Sequence, residues 1–163
     1  MSRTLTAYFS ASGTTKRAAE RLARSIGSDL YEIRPAVAYT QADLNWMDKK
    51  SRSSLEMKDP ACRPALADRD AAVEQYDRIF LGFPIWWYTA PSIIHTFLES
   101  YDFSGKTIIP FVTHGGSGFS RTVSTIQELQ PEAAVIEDGL SISRGDVADA
   151  AQQAVDWASS LVG

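Results

Sequence analysis

The stretch Arg78–Phe83, RIFLGF, constrains the fold more than any other part of the chain. A strand with one wet face alternates apolar and polar residues, and this run does not. It predicts a central strand of a parallel sheet, covered on both faces. Pro84 closes it. A second run, Thr107–Thr113 (TIIPFVT), makes the same demand, although Pro110 removes a ladder donor from it.

The rest of the chain falls into step with these runs. Leu5–Phe9 reads as a short strand. From Thr14 the pattern turns helical, with Ala18, Ala19, Leu22, Ala23 and Ile26 forming a buried stripe and Gly27 a stop. Leu30–Ile33 reads as the second strand, closed by Pro35. Residues 34–76 are the least regular part, an extended connection with an expected helix over Asp43–Met57 and a loop at DPACRP. A connection this long covers a site or carries a helix of its own. Pro91–Ser100 reads as a helix with Ile93, Ile94, Phe97 and Leu98 on one side. A turn at HGGSG, a helix over Phe119–Leu129, a fifth strand at Ala133–Ile136 and a final amphipathic helix over Val147–Val162 complete the chain.

Strand and helix alternate, which implies an α/β fold: a parallel sheet with right-handed crossovers and helices on both faces. Ligands of such sheets sit beyond the carboxyl ends of the strands. Three segments lie there: Ser10–Thr15, Pro84–Tyr88 and Thr113–Phe119. The length of 163 residues suits one domain over 1–163, and 44% hydrophobic residues exclude a disordered chain. The net charge of −4 argues against a nucleic-acid partner. A lone cysteine, Cys62, excludes an internal disulfide framework. With His95 and His114 it makes no recognisable metal site. No window reaches the length of a membrane span, so a soluble cytoplasmic protein is expected.

The first of the three segments, YFSASGTTKR, wraps four hydroxyl residues, Ser10, Ser12, Thr14 and Thr15, around Gly13. Hydroxyl donors, a glycine that admits a close ligand, and the amides of a helix N-terminus suit a phosphate. The dinucleotide fingerprint needs three glycines and this loop has one; the triphosphate loop needs lysine after its last glycine, where Thr14 stands. The alternative is an ordinary capped turn, though one cap needs only one hydroxyl. In FPIWWYTAP, Trp86, Trp87 and Tyr88 follow the buried strand directly, with Pro84 and Ile85 before them. Large aromatics there suit a flat ligand that stacks; capping the core or a homodimer contact is the alternative. THGGSGFS brings tight turns at Gly115, Gly116 and Gly118, with Thr113, His114 and Ser117 beside them. A serine-hydrolase elbow would need glycine where Phe119 stands. His114 is either a proton donor or a turn-fixing residue, and His95 reads as structural.

These three segments, in this order, resemble the flavodoxin-like family. FSASGTTK looks like its FMN phosphate loop, and LGFPIWWYTAP and GKTIIPFVTHGGSG resemble its two ring-holding loops. The resemblance implies a three-layer sandwich with a five-stranded parallel sheet in the order 2-1-3-4-5, and noncovalent FMN. It implies that Ser10, Ser12, Gly13, Thr14 and Thr15 hold the phosphate. Pro84, Trp86 and Tyr88 would line one flavin face and Thr113–Ser117 the other side. Trp86 is expected to face the ring and Trp87 to pack into the core. The sequence departs from the family at Thr14, where asparagine is frequent, and at Tyr88, where relatives with paired tryptophans often have glycine.

Two functions stay open at this point. One is an electron carrier that serves a redox partner protein. The other is an NAD(P)H-dependent oxidoreductase that reduces a quinone or similar small acceptor. Lack of a nicotinamide fingerprint leans toward the first, and the long 34–76 segment, as a lid, toward the second. A phospho-receiver on the same architecture would need aspartates where Ser10 and Pro84 stand.

Overall fold

The structure is a computed structural model and describes residues 4–10, 13–45, 47–59, 61–86, 90–114, 122–135 and 140–143. Strands β1 (Thr4–Tyr8), β2 (Asp29–Glu32), β3 (Arg78–Pro84), β4 (Thr107–His114), β5 (Ala134–Val135) and β6 (Leu140–Ser143) are joined by helices α1 (Thr14–Ile26), α2 (Arg52–Lys58), α3 (Ser92–Ser100) and α4 (Thr122–Leu129). The strands pair in parallel in the order β2-β1-β3-β4-β5, the expected order, and β6 also pairs with β4. The fifth position is thus shared by two short segments. The sequence pattern shows the first of them, at Ala133–Ile136, and misses Leu140–Ser143. The expected helix over Val147–Val162 lies outside the described residues, as do the HGGSG turn after His114 and the first residues of the helix expected from Phe119.

β3 is covered on both faces, as its composition demands: Ile79–Phe83 are all buried. Leu5, Ala7, Phe9, Ile79, Leu81 and Phe83 share one cluster with Ile93, Ile94, Phe97 and Leu98 of α3. Alternation turns the intervening residues to the opposite face, where the stripe of Ala18, Ala19, Leu22 and Ala23 packs from α1. Gly82 pairs with Phe111 across β3 and β4. A Cβ added at Gly82 would lie 2.1 Å from the buried Phe111 ring. The glycine is therefore the space that the ring fills.

Pro110 sits inside β4 without breaking it, for a reason visible in the ladder. Thr107 N–H donates to Asp77 O, and Thr113 O accepts from Ile85 N–H, so the odd-numbered residues of β4 bond toward β3. Pro110 faces the other edge. There β4 pairs with β5 at Thr107 and Ile108 and with β6 from Phe111 onward. Pro110 falls in the gap between the two partners, where no described strand asks for its missing N–H.

The helix expected over Asp43–Met57 is a correction: only Arg52–Lys58 is helical. Thr40 N–H donates to Asp43 Oδ2 (2.9 Å) and Asp43 N–H to Thr40 Oγ1 (3.1 Å), which starts a turn. Asn45 Oδ1 then accepts from Met47 N–H and Asp48 Oδ1 from Lys50 N–H. These side chains capture the amides a helix would use. The helix starts afresh where Ser51 accepts from Ser54 N–H. The segment returns to the sheet through Asp68, whose carboxylate accepts from Tyr31 Oη and Arg34. The bond from Tyr31, foremost, holds the Asp68 carboxyl below the usual carboxylate range. Among the described residues no helix is long and apolar enough to cross a membrane.

Gly82→Ala should destabilise the fold by about 1–3 kcal/mol through overpacking against Phe111. Urea unfolding of Gly82→Ala, and of the same variant carrying Phe111→Leu, checks this. The smaller side chain should recover part of the loss.

Candidate functional site

The chain leaves β1 toward β2 on one side and returns to β3 on the other, so the sheet order reverses between β1 and β3. A crevice opens at such a point beyond the carboxyl ends. Phe9 N–H donates to Gly82 O (2.9 Å) and ties the two strands at this end. Ser10 follows at once. Gly13 then turns the chain with φ 91° and ψ −9°, the left-handed conformation, and opens α1. A side chain would meet nothing within 4 Å at Gly13, so the backbone angle, not crowding, calls for glycine.

The polar groups of this turn are arranged to receive an acceptor. Gly13 N–H donates to Ser10 Oγ (3.0 Å), which leaves the Ser10 hydroxyl hydrogen for a further partner. No described side chain caps α1, and its first turn carries no acidic residue. Lys16 and Arg17 stand exposed on it. The amides and the positive end of the helix dipole therefore suit an anion, with no carboxylate in the first turn to compete.

Thr15 does something the sequence did not disclose. Its side chain is buried, and Thr15 Oγ1 shares a hydrogen bond of 2.8 Å with Thr113 Oγ1. The bond spans from α1 across the end of β3 to the end of β4. Two hydroxyls use one hydrogen between them, so the pair keeps one donor for another acceptor. Thr113 also faces Pro84 in the sheet, and its carbonyl accepts from Ile85 N–H (2.9 Å). The hydroxyl-rich turn, the segment after β3 and the end of β4 are thereby fastened together.

Trp86 is half-buried and packs against the core. Its ring meets Phe9 edge-on at 5.7 Å and Tyr39 edge-on at 5.6 Å. Trp86 thus takes a packing role like the one the sequence reading gave Trp87. Trp87 and Tyr88 lie outside the described residues, with Ser12, Gly115, Gly116 and Ser117. Thr14 and His114 are described through their backbones alone, as the first residue of α1 and the last of β4.

Phe9 and Tyr39 belong to this end of the sheet and were missed. Phe9 was legible as a strand end; Tyr39 carries no signal, since AYT in an irregular segment says nothing about where it lands. Tyr39 Oη donates to Glu56, and burial, foremost, together with that carboxylate pushes its pKa well up, so it stays a neutral donor. The guanidinium of Arg52 lies 3.9 Å from the Tyr39 ring centroid and bonds Glu56 Oε2 (3.0 Å). His95 lies on α3, where burial lowers its pKa and leaves Nε2 without a described partner. Cys62 is half-buried, with its thiol pushed up by burial. Among the described residues no group of His, Cys, Asp and Glu is placed to hold a metal ion.

The family model described as Flavodoxin matches residues 3–158. The chain belongs to the flavodoxin family. This family member is 47% identical to a protein from Bacteroides uniformis ATCC 8492 assigned as a flavoprotein, with a TM-score of 0.81 over 91% of this chain and 96% of that one. It is 44% identical to a similarly assigned protein from Bacteroides eggerthii DSM 20697, with a TM-score of 0.83 over 91% and 95% of the two chains. A flavoprotein from Lactobacillus acidophilus NCFM, solved in complex with FMN, is 25% identical with a TM-score of 0.65 over 91% and 98%. No curated protein matches the chain.

For this flavodoxin-family protein the Thr15–Thr113 bond should be the joint between two loops. Thr15→Val or Thr113→Val alone leaves a buried hydroxyl unpaired and should cost about 1–3 kcal/mol. Denaturant unfolding of the double variant should show a loss well below the sum of the two.

Proposed function

We propose that the protein is an FMN-binding redox protein of the flavodoxin carrier type, passing electrons through a noncovalent flavin to a partner protein. The observation that carries this reading is the Thr15–Thr113 bond, which draws the anion-receiving turn and the ring-side segments to one end of the sheet. The residues present fit such a cofactor. Ser10 and the first amides of α1 offer donors to a phosphate around the turn that Gly13 makes, and Ser12, Thr14 and Thr15 would complete the set. Pro84, Ile85 and Trp86, with Trp87 and Tyr88, supply the apolar side of a flat ring. Thr113–Ser117, His114 included, supply its polar edge. The 25%-identical relative in complex with FMN supports the same cofactor.

When bound, FMN supplies the electron transfer. The protein's part is to hold and surround it. Hydroxyls and amides replace the water lost by the phosphate, and no acidic residue in the first turn of α1 opposes it. Apolar residues after β3 keep water from the ring. A cytoplasmic setting belongs to this proposal and agrees with a chain that can form no internal disulfide.

A second reading is an NAD(P)H-dependent oxidoreductase acting on a quinone or similar acceptor. It is favoured by one observation: the 34–76 segment reaches Trp86 through Tyr39 and so borders the candidate ring site. Anaerobic NADPH separates the two. A carrier should keep its flavin oxidised until a reductase is added, whereas prompt bleaching of the visible band by NADPH alone supports the enzyme.

Refolding with excess FMN should quench flavin fluorescence. Riboflavin, which lacks the phosphate, should bind at least about a hundredfold more weakly, since two or more bonds to a charged group are lost. Equal affinities for the two in a fluorescence titration overturn the phosphate assignment.

A further inference from the structure

We propose that Tyr39 is a positioning residue for the flavin-ring site: it fixes Trp86, and with it the segment that follows β3. This rests on the FMN reading above. Three rings make the contact. Phe9 from the end of β1, Trp86 from beyond β3 and Tyr39 from the long connection meet pairwise edge-on, with centroids 5.6–5.8 Å apart. Phe9 is fully buried and cannot yield. Trp86 is half-buried, so its orientation depends on the few neighbours packed against it. Tyr39 is one of them.

Tyr39 is itself held from outside the sheet. Its hydroxyl donates to Glu56 on α2, and the Arg52 guanidinium lies over its ring. Arg52 also bonds Glu56 and donates to Val37 O at 2.7 Å, two residues before Tyr39 in the chain. One helix turn of α2 thus grips the ring, the hydroxyl and the adjoining backbone. Ser92 at the start of α3 donates to Glu56 O (3.3 Å), which ties α2 to the helix that follows the Trp86 segment. A tyrosine that served only to cover the core would need the ring contact and none of this anchoring. The arrangement makes an irregular segment rigid at the point where it touches the ring loop.

The test is a double-mutant cycle read on FMN binding. Tyr39→Ala should weaken FMN binding about threefold to tenfold, the range of one aromatic pair, and shift the visible band of the bound flavin. It should leave the FMN-to-riboflavin affinity ratio unchanged, because the phosphate turn is untouched. Tyr39→Phe keeps the ring and should restore most of the affinity. In a Trp86→Ala background, Tyr39→Ala should have little further effect. Leu55→Ala, at an exposed position on α2, is the control. In the flavin-free protein, Tyr39→Ala should change the near-UV circular dichroism of Trp86, identified by its loss in Trp86→Phe. Additive losses in the double variant, or an unmoved flavin band with intact binding, overturn the positioning role. Failure of the unmutated protein to bind FMN overturns the functional reading instead. In that case an unchanged Trp86 signal would remove the positioning role as well.

Discussion

β3 has no face left for water, and the other elements answer to that. Residues Ile79–Phe83 are buried from both sides, so a helix layer must lie on each face of the sheet. Parallel strands with crossover helices bring all strand ends of one polarity to the same edge. The turn before α1, the segment after β3 and the end of β4 meet there as a consequence. Gly82 sits at the centre of this constraint. It gives its carbonyl to Phe9 N–H on one side and its missing side chain to the Phe111 ring on the other.

At that edge the protein uses two kinds of fastening. The polar one is the buried hydroxyl pair of Thr15 and Thr113, which links helix α1 to β4. The apolar one is the triangle of Phe9, Tyr39 and Trp86. The two act on opposite faces. Thr113 shares the α1 face with Phe111, while Phe9 belongs to the cluster beneath α3. Strand alternation alone separates them. A flat cofactor at this end would therefore find its polar and apolar contacts supported from different layers.

The long connection shows what local chemistry can overrule. Asn45 and Asp48 divert backbone amides to their own side chains, and a stretch with helical composition becomes turns. Only past Ser51, whose hydroxyl caps a new start, does a helix survive. That short helix is nonetheless the anchor of Tyr39. Pro110 is the opposite case: a residue that locally forbids a strand is tolerated, because its imide faces the gap between β5 and β6.

The buried runs and the α1 stripe were legible in the sequence through periodicity and residue type, whereas the strand order was legible only through the family resemblance. Gly13 and Gly27 both take the left-handed angles that mark the two ends of α1. What the sequence could not contain was distance between residues far apart in the chain. Thr15 and Thr113 are separated by 98 positions, and nothing in either neighbourhood names the other. Tyr39 carries no periodic or turn signal, and the edge-on placement of Trp86 follows from which neighbour fills its flank. Leu140–Ser143, as long as β2, is a strand because β4 offers it an open edge. Local pattern decided the elements; the packing of one layer on another decided which side chains became partners, since a hydrogen bond or ring contact exists only once the sheet has brought both groups to the same place.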